Sequence, residues 1–500
     1  MKIVPSIINW YFKQRYKKIE QHYLNPLSLQ ETTFQNLLAK GKHTLYGEKH
    51  NFSAITTYAQ FINYCPPNTY DSLQPYINKI IEGEKNVLWP SKINWFAKSS
   101  GTTSNKSKFI PVSYEALEDC HFKGGRDVLS FYCNCKQQTS IFEGKGLTVG
   151  GSHSISILNE KMHIGDVSAV MIENMPFLGQ LFNTPDKEIA LLDNWELKIE
   201  KMAAATSQEN VTMLIGVPSW TLVLLNKILQ LHNAENIADI WPNLELFIHG
   251  GVSFVPYKTQ FDQLFKNSQV NYLETYNASE GFFAIQDNPA TNDLLLMLDY
   301  GIFYEFYDEI NNKYVWLNEV ELHKKYTLLI NTNAGLWRYK IGDTICFTSL
   351  KPYKIKILGR DVQFINIAGE ELIVANSDAA IAQACKKTNA TVKEYAAAPI
   401  FMNNNKSGCH EWIIEFEKEP DDFSKFCTYL DEELQNNNTD YAAKRFNNMV
   451  LNIPVIHIAP KNLFYNWLKI AGKLGGQHKV PRLANNRKYL EEMLQIMNVA

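Results

Sequence analysis

The chain is poor in cysteine: eight in 500 residues, at 65, 120, 133, 135, 346, 385, 409 and 427. That is too sparse for a disulfide scaffold. The closest pair, Cys133 and Cys135, is a C-x-C, and no C-x-x-C occurs, so the spacings of zinc ligands and of thioredoxin-like redox centres are missing. Free thiols in a reducing, cytoplasmic setting are the expectation. The twelve histidines form no H-E-x-x-H and no His/Cys cluster. His153 and His163 read as surface or satisfied core groups, and metal catalysis by His or Cys has no support. No G-x-S-x-G marks a hydrolase nucleophile. No run reaches the roughly 18 apolar residues of a membrane span. A secretory leader is not indicated either. The apolar stretch Ile3–Tyr11 is broken by Pro5 and Asn9, lacks a small-residue cleavage site and runs into Lys13, Arg15, Lys17 and Lys18; an amphipathic helix is expected. A surplus of positive charge is also lacking: 49 Lys and Arg against 52 Asp and Glu give −3. A generally basic nucleic-acid binder is thereby disfavoured.

What is present is core-forming material. Apolar residues make up 45% and charged residues 20%, and 500 residues exceed one ordinary core, so two unequal domains or about three equal ones are expected. Leu147–Gly151, Thr212–Val217, Leu244–Ile248 and Val270–Thr275 read as buried strands. Helical patterns at Trp220–His232 and Tyr257–Asn267 lie between them, and this alternation argues for an α/β domain. From about Leu294 the pattern turns to strands with few helices: Leu294–Asp299, Ile302–Phe306, Tyr314–Trp316 and Thr327–Asn331. Past Leu358–Asp361 a smaller α+β pattern follows. Thr391–Ile400 and Val455–Ile458 read as strands, and Asp421–Gln435 as a helix capped by Asp421 or Asp422. Glu411–Glu417 alternates, with Trp412, Ile414 and Phe416 on one face and three glutamates on the other. Expected boundaries are residues 1–360 for the large domain and 361–500 for the small one. The last forty residues carry seven Lys/Arg and two Glu, or +5, leaving −3 − 5 = −8 on the rest. A basic end on an acidic body is either solvated or swings over an anion.

Five stretches can carry chemistry. In Lys98–Pro111 (KSSGTTSNKSKFIP), Ser99, Ser100, Gly101, Thr102, Thr103 and Ser104 fill six of seven consecutive positions, followed by Lys106 and Lys108. Such small residues let backbone N–H groups and hydroxyls converge on an oxyanion, though this is not the Walker spacing. In Glu274–Gln286 (ETYNASEGFFAIQ), Tyr276 and Glu280 follow a strand expected to end at Thr275, where α/β sheets bind ligands. Glu280 also fits the first turn of a helix. Gly335–Phe347 holds Gly342-Asp343, read as a tight turn or as an acceptor for ribose hydroxyls. Ile248–Pro256 holds Gly250 and Gly251, which suit a flat ligand or a plain turn. Ala471–Asn486 is a basic glycine-bearing loop in which Lys479 precedes Pro481.

In this order the five stretches resemble the motifs of the Gretchen Hagen (auxin-responsive promoter) family of acyl-acid amido synthetases, within the adenylate-forming superfamily. SSGTTSNKSK is similar to its phosphate loop, with Lys108 at the lysine position. TYNASEGFF is similar to its Tyr-x-x-Ser-Glu motif at Tyr276, Ser279 and Glu280. RYKIGD is similar to Tyr-Arg-x-Gly-Asp, at Tyr339, Gly342 and Asp343, with Lys340 in place of the usual Arg. LGRDVQF resembles the superfamily's hinge, and GGQHKVPR the C-terminal Gln-aromatic-Lys-x-Pro-Arg, with His478 in place of a bulkier aromatic.

The resemblance implies a large adenylation domain and a mobile small domain hinged near Arg360–Asp361. It implies ATP and Mg2+ as cofactors, with a carboxylic acid and an amine, typically an amino acid, as substrates. The acid would attack the α-phosphate, and the amine would then displace AMP from the acyl-adenylate. Lys479 and Glu280 would carry catalysis, Glu280 as the magnesium ligand. The Ser99–Ser104 loop would cradle pyrophosphate, Gly250, Gly251, Thr275 and Tyr276 would line the adenine slot, and Asp343 and Arg360 would hold ribose. Transfer to coenzyme A and nucleotide binding without turnover are the competing readings. The identity of the acid and of the amine, and the oligomeric state, are not legible.

Overall fold

The computed structural model describes residues 3–99, 108–136, 138–150, 156–159, 162–192, 194–251, 254, 257–266, 269–360, 364–403, 406–470 and 480–499. In chain order the strands are β1 (Trp95–Ser99), β2 (Lys108–Val112), β3 (Lys145–Val149), β4 (Ser156–Asn159), β5 (Met162–Gly165), β6 (Asn183–Thr184), β7 (Val211–Gly216), β8 (Leu246–Gly250), β9 (Asn271–Ala278), β10 (Gly281–Ile285), β11 (Leu294–Leu296), β12 (Ile302–Asp308), β13 (Lys313–Trp316), β14 (Lys325–Thr332), β15 (Tyr339–Leu350), β16 (Tyr353–Arg360), β17 (Phe364–Ile365), β18 (Leu372–Ile373), β19 (Thr391–Ile400), β20 (Cys409–Lys418) and β21 (Val455–Ile458).

Among the described residues, twelve strands join in the order β13-β12-β14-β15-β16-β11-β10-β9-β8-β7-β3-β6. The end β9-β8-β7-β3-β6 is parallel. Four of these strands, β3, β7, β8 and β9, are the apolar runs of the sequence, because a parallel sheet crossed by helices is covered on its faces; β6, only Asn183–Thr184, was not expected. Helix Trp195–Thr206 leads into β7, helix Pro218–His232 links β7 to β8, and helix Lys258–Leu264 links β8 to β9. Pro218 opens its helix where a missing N–H costs nothing, and Asn233 at φ 48° closes it. The other end of the sheet, from β10 through β13, is antiparallel. β9 belongs to both halves: parallel to β8, antiparallel to β10. The added β portion expected from Leu294 onward is therefore the continuation of one sheet. A second sheet, β2-β1-β5-β4, lies beside it. Phe96, Ala97, Ile110 and Val112 of that sheet join the core formed by the N-terminal helices and the antiparallel strands.

The smaller C-terminal region is built on the sheet β19-β20-β21. Asp422 caps helix Phe423–Asn437 by accepting from the Lys425 N–H at 3.0 Å. The alternation in β20 has a different meaning from the one expected. Trp412, Ile414 and Phe416 do share one core, but Glu411 and Glu415 are buried too. Helices Leu463–Ile470 and Lys488–Val499 cover the other face, where Ile413 packs against Leu463, Phe464 and Trp467. The glutamates are tolerated there because they are paired: Glu411 with His457 and Arg487, Glu415 with Lys393.

All eight cysteines are free. No helix among the described residues is long and apolar enough to cross a membrane.

Candidate active site

The Ser/Thr/Gly stretch joins the two strands of a hairpin. β1 and β2 pair antiparallel from Trp95↔Val112 to Ser99↔Lys108, so its ends are set by ladder bonds and buried apolar side chains. Ser100, Gly101, Thr102, Thr103 and Ser104 lie outside the described residues. Lys108 is buried at the start of β2, its ammonium 5.9 Å from the Tyr70 ring centroid. The Tyr70 hydroxyl accepts from the neighbouring Phe109 N–H at 2.9 Å.

The Tyr-x-x-Ser-Glu stretch lies at the junction of the two sheet halves. β9 runs three residues beyond the expected end at Thr275, to Ala278, and Ala278 pairs with Gly281. Ser279 and Glu280 are thus the two turn residues of a β-hairpin. Glu280 is not in the first turn of a helix. Thr275 is buried and pairs with Gly250 across the parallel ladder. A Cβ on Gly250 would sit 2.6 Å from the Thr275 carbonyl oxygen, so packing of β8 on β9 already requires that glycine. Gly251 is needed for a different reason, a φ of +80°.

Gly342 and Asp343 do not form a turn between strands; both lie inside β15. Thr327 pairs with Thr344 and Leu329 with Lys340, so Ile341, Gly342 and Asp343 stand opposite Leu328 alone. This bulge turns on Gly342 at φ +92° and re-aims the aspartate. The buried Asp343 accepts a 2.5 Å hydrogen bond from the Tyr276 hydroxyl. From β9 to β15 the ladder takes four steps, through β10, β11 and β16. At about 4.8 Å per step a flat sheet would part them by roughly 19 Å, beyond the joint reach of a tyrosine and an aspartate. The sheet therefore curls, and two motifs 67 residues apart meet at the carboxyl end of β9.

Arg360 is the last residue of β16 and pairs in register with Asp343. Lys479 lies outside the described residues, as does the rest of 471–479. Lys340, at the family's arginine position, is turned to an aromatic pair, its ammonium 5.1 Å from the Tyr307 centroid and 6.0 Å from that of Tyr314. A buried ion pair supports the start of β15: Arg338 Nε lies 2.9 Å from Glu305, and its Nη1 donates to the Cys65 carbonyl at 2.7 Å.

Reading by motif passed over two groups here. His249 is buried one residue before Gly250, stacked 4.1 Å from Phe254, with Nδ1 unpartnered among the described residues. Burial pushes its pKa down to about 3. Glu274, two residues before Tyr276, has its carboxyl pushed up by burial. Both were signalled by a charged or titratable residue inside an apolar strand. In the C-terminal region, the pairing of Asp378 and Glu394 with Arg482 had no local signal.

Three family models cover the chain in order: the GH3 family N-terminal domain at residues 15–270, the central domain at 295–360 and the C-terminal domain at 375–488. The chain belongs to the GH3 family. A probable indole-3-acetic acid-amido synthetase GH3.1 of Arabidopsis thaliana is 21% identical over 66% of this chain and 65% of its own length. The jasmonoyl–L-amino acid synthetase JAR6 of Nicotiana attenuata is 23% identical over 63% and 66%. The matched segments thus span just under two thirds of these two GH3 relatives. Among solved structures, GH3.15 acyl acid amido synthetase superposes with TM-score 0.62 over 97% of this chain and 96% of its own, at 16% identity. A 2-hydroxyisobutyryl-CoA ligase complex superposes with TM-score 0.60 over 96% and 94%, at 12% identity. The fold is that of the adenylate-forming enzymes, a large N-terminal α/β domain followed by a smaller one.

Proposed function

We propose that this GH3 chain couples a carboxylic acid to an amine at the expense of ATP, through an acyl-adenylate. The observation that carries the reading is the Tyr276–Asp343 hydrogen bond beside Gly250 and Gly251. It joins two nucleotide motifs at the carboxyl end of the strand where the sheet changes from parallel to antiparallel, a ligand position of open α/β sheets. GH3 relatives bear the names of indole-3-acetic acid and jasmonoyl amido synthetases, which supports an amino acid as the amine.

In this reading residues 1–360 bind the nucleotide and the acid. Tyr276, Thr275, Gly250 and Gly251 line the adenine slot. Asp343, with its cross-strand neighbour Arg360, holds the ribose. The segment Ser99–Ser104, together with Lys108 and Ser279, receives the leaving pyrophosphate. Residues 361–500 bring Lys479 to the α-phosphate, where negative charge accumulates as the acid attacks. The two regions close about a hinge near Arg360–Asp361.

Among the described residues no three His, Cys, Asp or Glu side chains converge on one point. Glu280, half-buried in the β9–β10 turn, offers one hard oxygen donor. That fits Mg2+, which takes one or two carboxylates alongside substrate phosphates. When bound, the ion would withdraw charge from the phosphates.

The test is a panel of carboxylic acids screened by pyrophosphate release, then a panel of amino acids against the best acid with identification of the product. An amide with AMP and pyrophosphate is the expected result. A thioester formed only with coenzyme A would transfer the assignment to acyl-CoA ligases, and ATP binding with no turnover on any acid would leave a nucleotide-binding regulator.

A further inference from the structure

The chain between position 479 and the last helix is fastened more firmly than a connecting loop requires. The Ala397 N–H donates to the Arg482 carbonyl at 2.7 Å, and the Ala484 N–H donates to the Ala397 carbonyl at 3.1 Å. Leu483 therefore lies parallel to Ala397 as a one-rung extension of edge strand β19. The Asn485 side chain accepts from the Asn366 N–H at 2.8 Å. Around this rung the Arg482 guanidinium is held on three sides. Its Nε donates to Glu394 at 3.1 Å, its Nη1 reaches both Asp378 oxygens at 3.0 and 3.1 Å, and its plane lies 5.2 Å from the Tyr395 centroid. The Tyr395 hydroxyl donates to the same Asp378 at 2.8 Å.

An isolated surface ion pair stabilises little. Here two carboxylates and a ring share one planar fork, which fixes direction as well as distance. Two residues, Val480 and Pro481, separate Arg482 from Lys479, three residue steps in all. Three residues reach at most about 11 Å, and proline removes one rotatable φ. Asp378, Glu394 and Tyr395 all belong to the C-terminal region, so the clamp travels with that region in any movement against the large one.

We propose that the clamp of Arg482 by Asp378, Glu394 and Tyr395, by fixing residues 482–484 in register on the edge of β19, gives Lys479 a short, directed tether for adenylation. The proposal rests on the adenylation reading above. Arg482 is a positioning residue: it acts through the lysine, so its loss lowers turnover and leaves ATP binding alone.

The experiment uses the full chain with R482Q, R482K and E394Q, and two readouts. In acid-dependent ATP–pyrophosphate exchange, R482Q lowers kcat by roughly 10- to 100-fold, the scale of a misplaced catalytic group, with KM for ATP within about twofold. R482K recovers part of the loss, and E394Q, which keeps the Asp378 contact, loses less. In amide hydrogen exchange, the N–H groups of Ala397 and Ala484 exchange roughly tenfold faster in R482Q, while helix Phe423–Asn437 is unchanged. Unaltered protection of those two amides, or full turnover despite their faster exchange, overturns the proposal. Should R482Q fail to fold, E394Q carries both readouts. A wild-type chain inactive on every acid defeats the functional reading instead, and the amide arm still decides whether the clamp orders the segment.

Discussion

The proposed nucleotide side of the large region and the C-terminal end of the small region are held by different means. On the large side, Thr275, Tyr276, Gly250 and Asp343 are placed by ladder register, one bulge and the curl of a twelve-stranded sheet. Their geometry is a property of the backbone, spread over many hydrogen bonds. On the small side, Lys479 follows a glycine-bearing stretch and precedes a single rung on β19, held by two backbone hydrogen bonds and flanked by one clamped guanidinium. Under the proposed function, the first arrangement would serve a site that binds ATP in one geometry, and the second a group that is delivered to that site. Damage on the large side should therefore change ATP affinity and stability together, whereas damage on the small side should change rate alone.

The largest effect on the large side is expected from Arg338→Ala. It strands the buried Glu305 carboxylate beneath β15 and should cost about 3–5 kcal/mol of folding free energy, read by denaturant unfolding. An Arg338→Ala chain of wild-type stability would mean that β15 needs no support there. Next comes acid. Burial lowers His121 to about 4 and His249 to about 3, below the ordinary value near 6.5. In the window between, the unfolded chain binds protons that the folded chain does not, so stability is complete above about pH 6.5 and falls as pH drops. At pH 5 each histidine should cost about 2 kcal/mol. His121→Asn and His249→Asn should flatten the acid limb of the unfolding curve, and an unchanged limb would show that other groups dominate it.

Gly250→Ala forces a methyl group to within 2.6 Å of the Thr275 carbonyl. Overpacking of this kind costs typically about 1–3 kcal/mol, and here it should appear as a rise in KM for ATP along with lower stability. A KM that moves without any change in stability would mean that the two are separable. The smallest effect belongs to Tyr276→Phe, which removes one hydrogen bond to Asp343, about 1 kcal/mol. ATP affinity should weaken several-fold, with little change in turnover at saturating ATP.

The two regions also differed in how far they could be read from sequence. Of the parallel strands, β3, β7, β8 and β9 were legible because each is a short apolar run bounded by glycine, proline or a polar turn, whereas the two polar residues of β6 carry no such pattern. Two of the small-region strands, Thr391–Ile400 and Val455–Ile458, begin and end where the pattern places them. The five motif stretches could be named, but their local structure was less legible. Gly-Asp within RYKIGD has the composition of a turn, yet strand pairing on both sides of β15 converts it into a bulge. Glu280 was ambiguous because a polar residue before an apolar run suits a helix start and a hairpin turn equally. The second buried face of β20 was hidden, since glutamates at 411 and 415 look like solvent positions until His457, Arg487 and Lys393 are placed beside them. Contacts such as Tyr276 with Asp343, or Arg482 with Asp378, depend on sheet curvature and on a one-rung pairing, and no local pattern encodes either.

Under the proposed function, a positive group from the C-terminal segment completes a nucleotide site built on the large sheet. Lys479→Ala tests it most directly, by acid-dependent ATP–pyrophosphate exchange measured alongside equilibrium ATP binding. The expected result is a loss of roughly 10²–10³ in exchange rate, about 3–4 kcal/mol, with ATP affinity within about twofold of wild type. Equal exchange in the two proteins, or a loss matched by an equal loss of ATP binding, would contradict it.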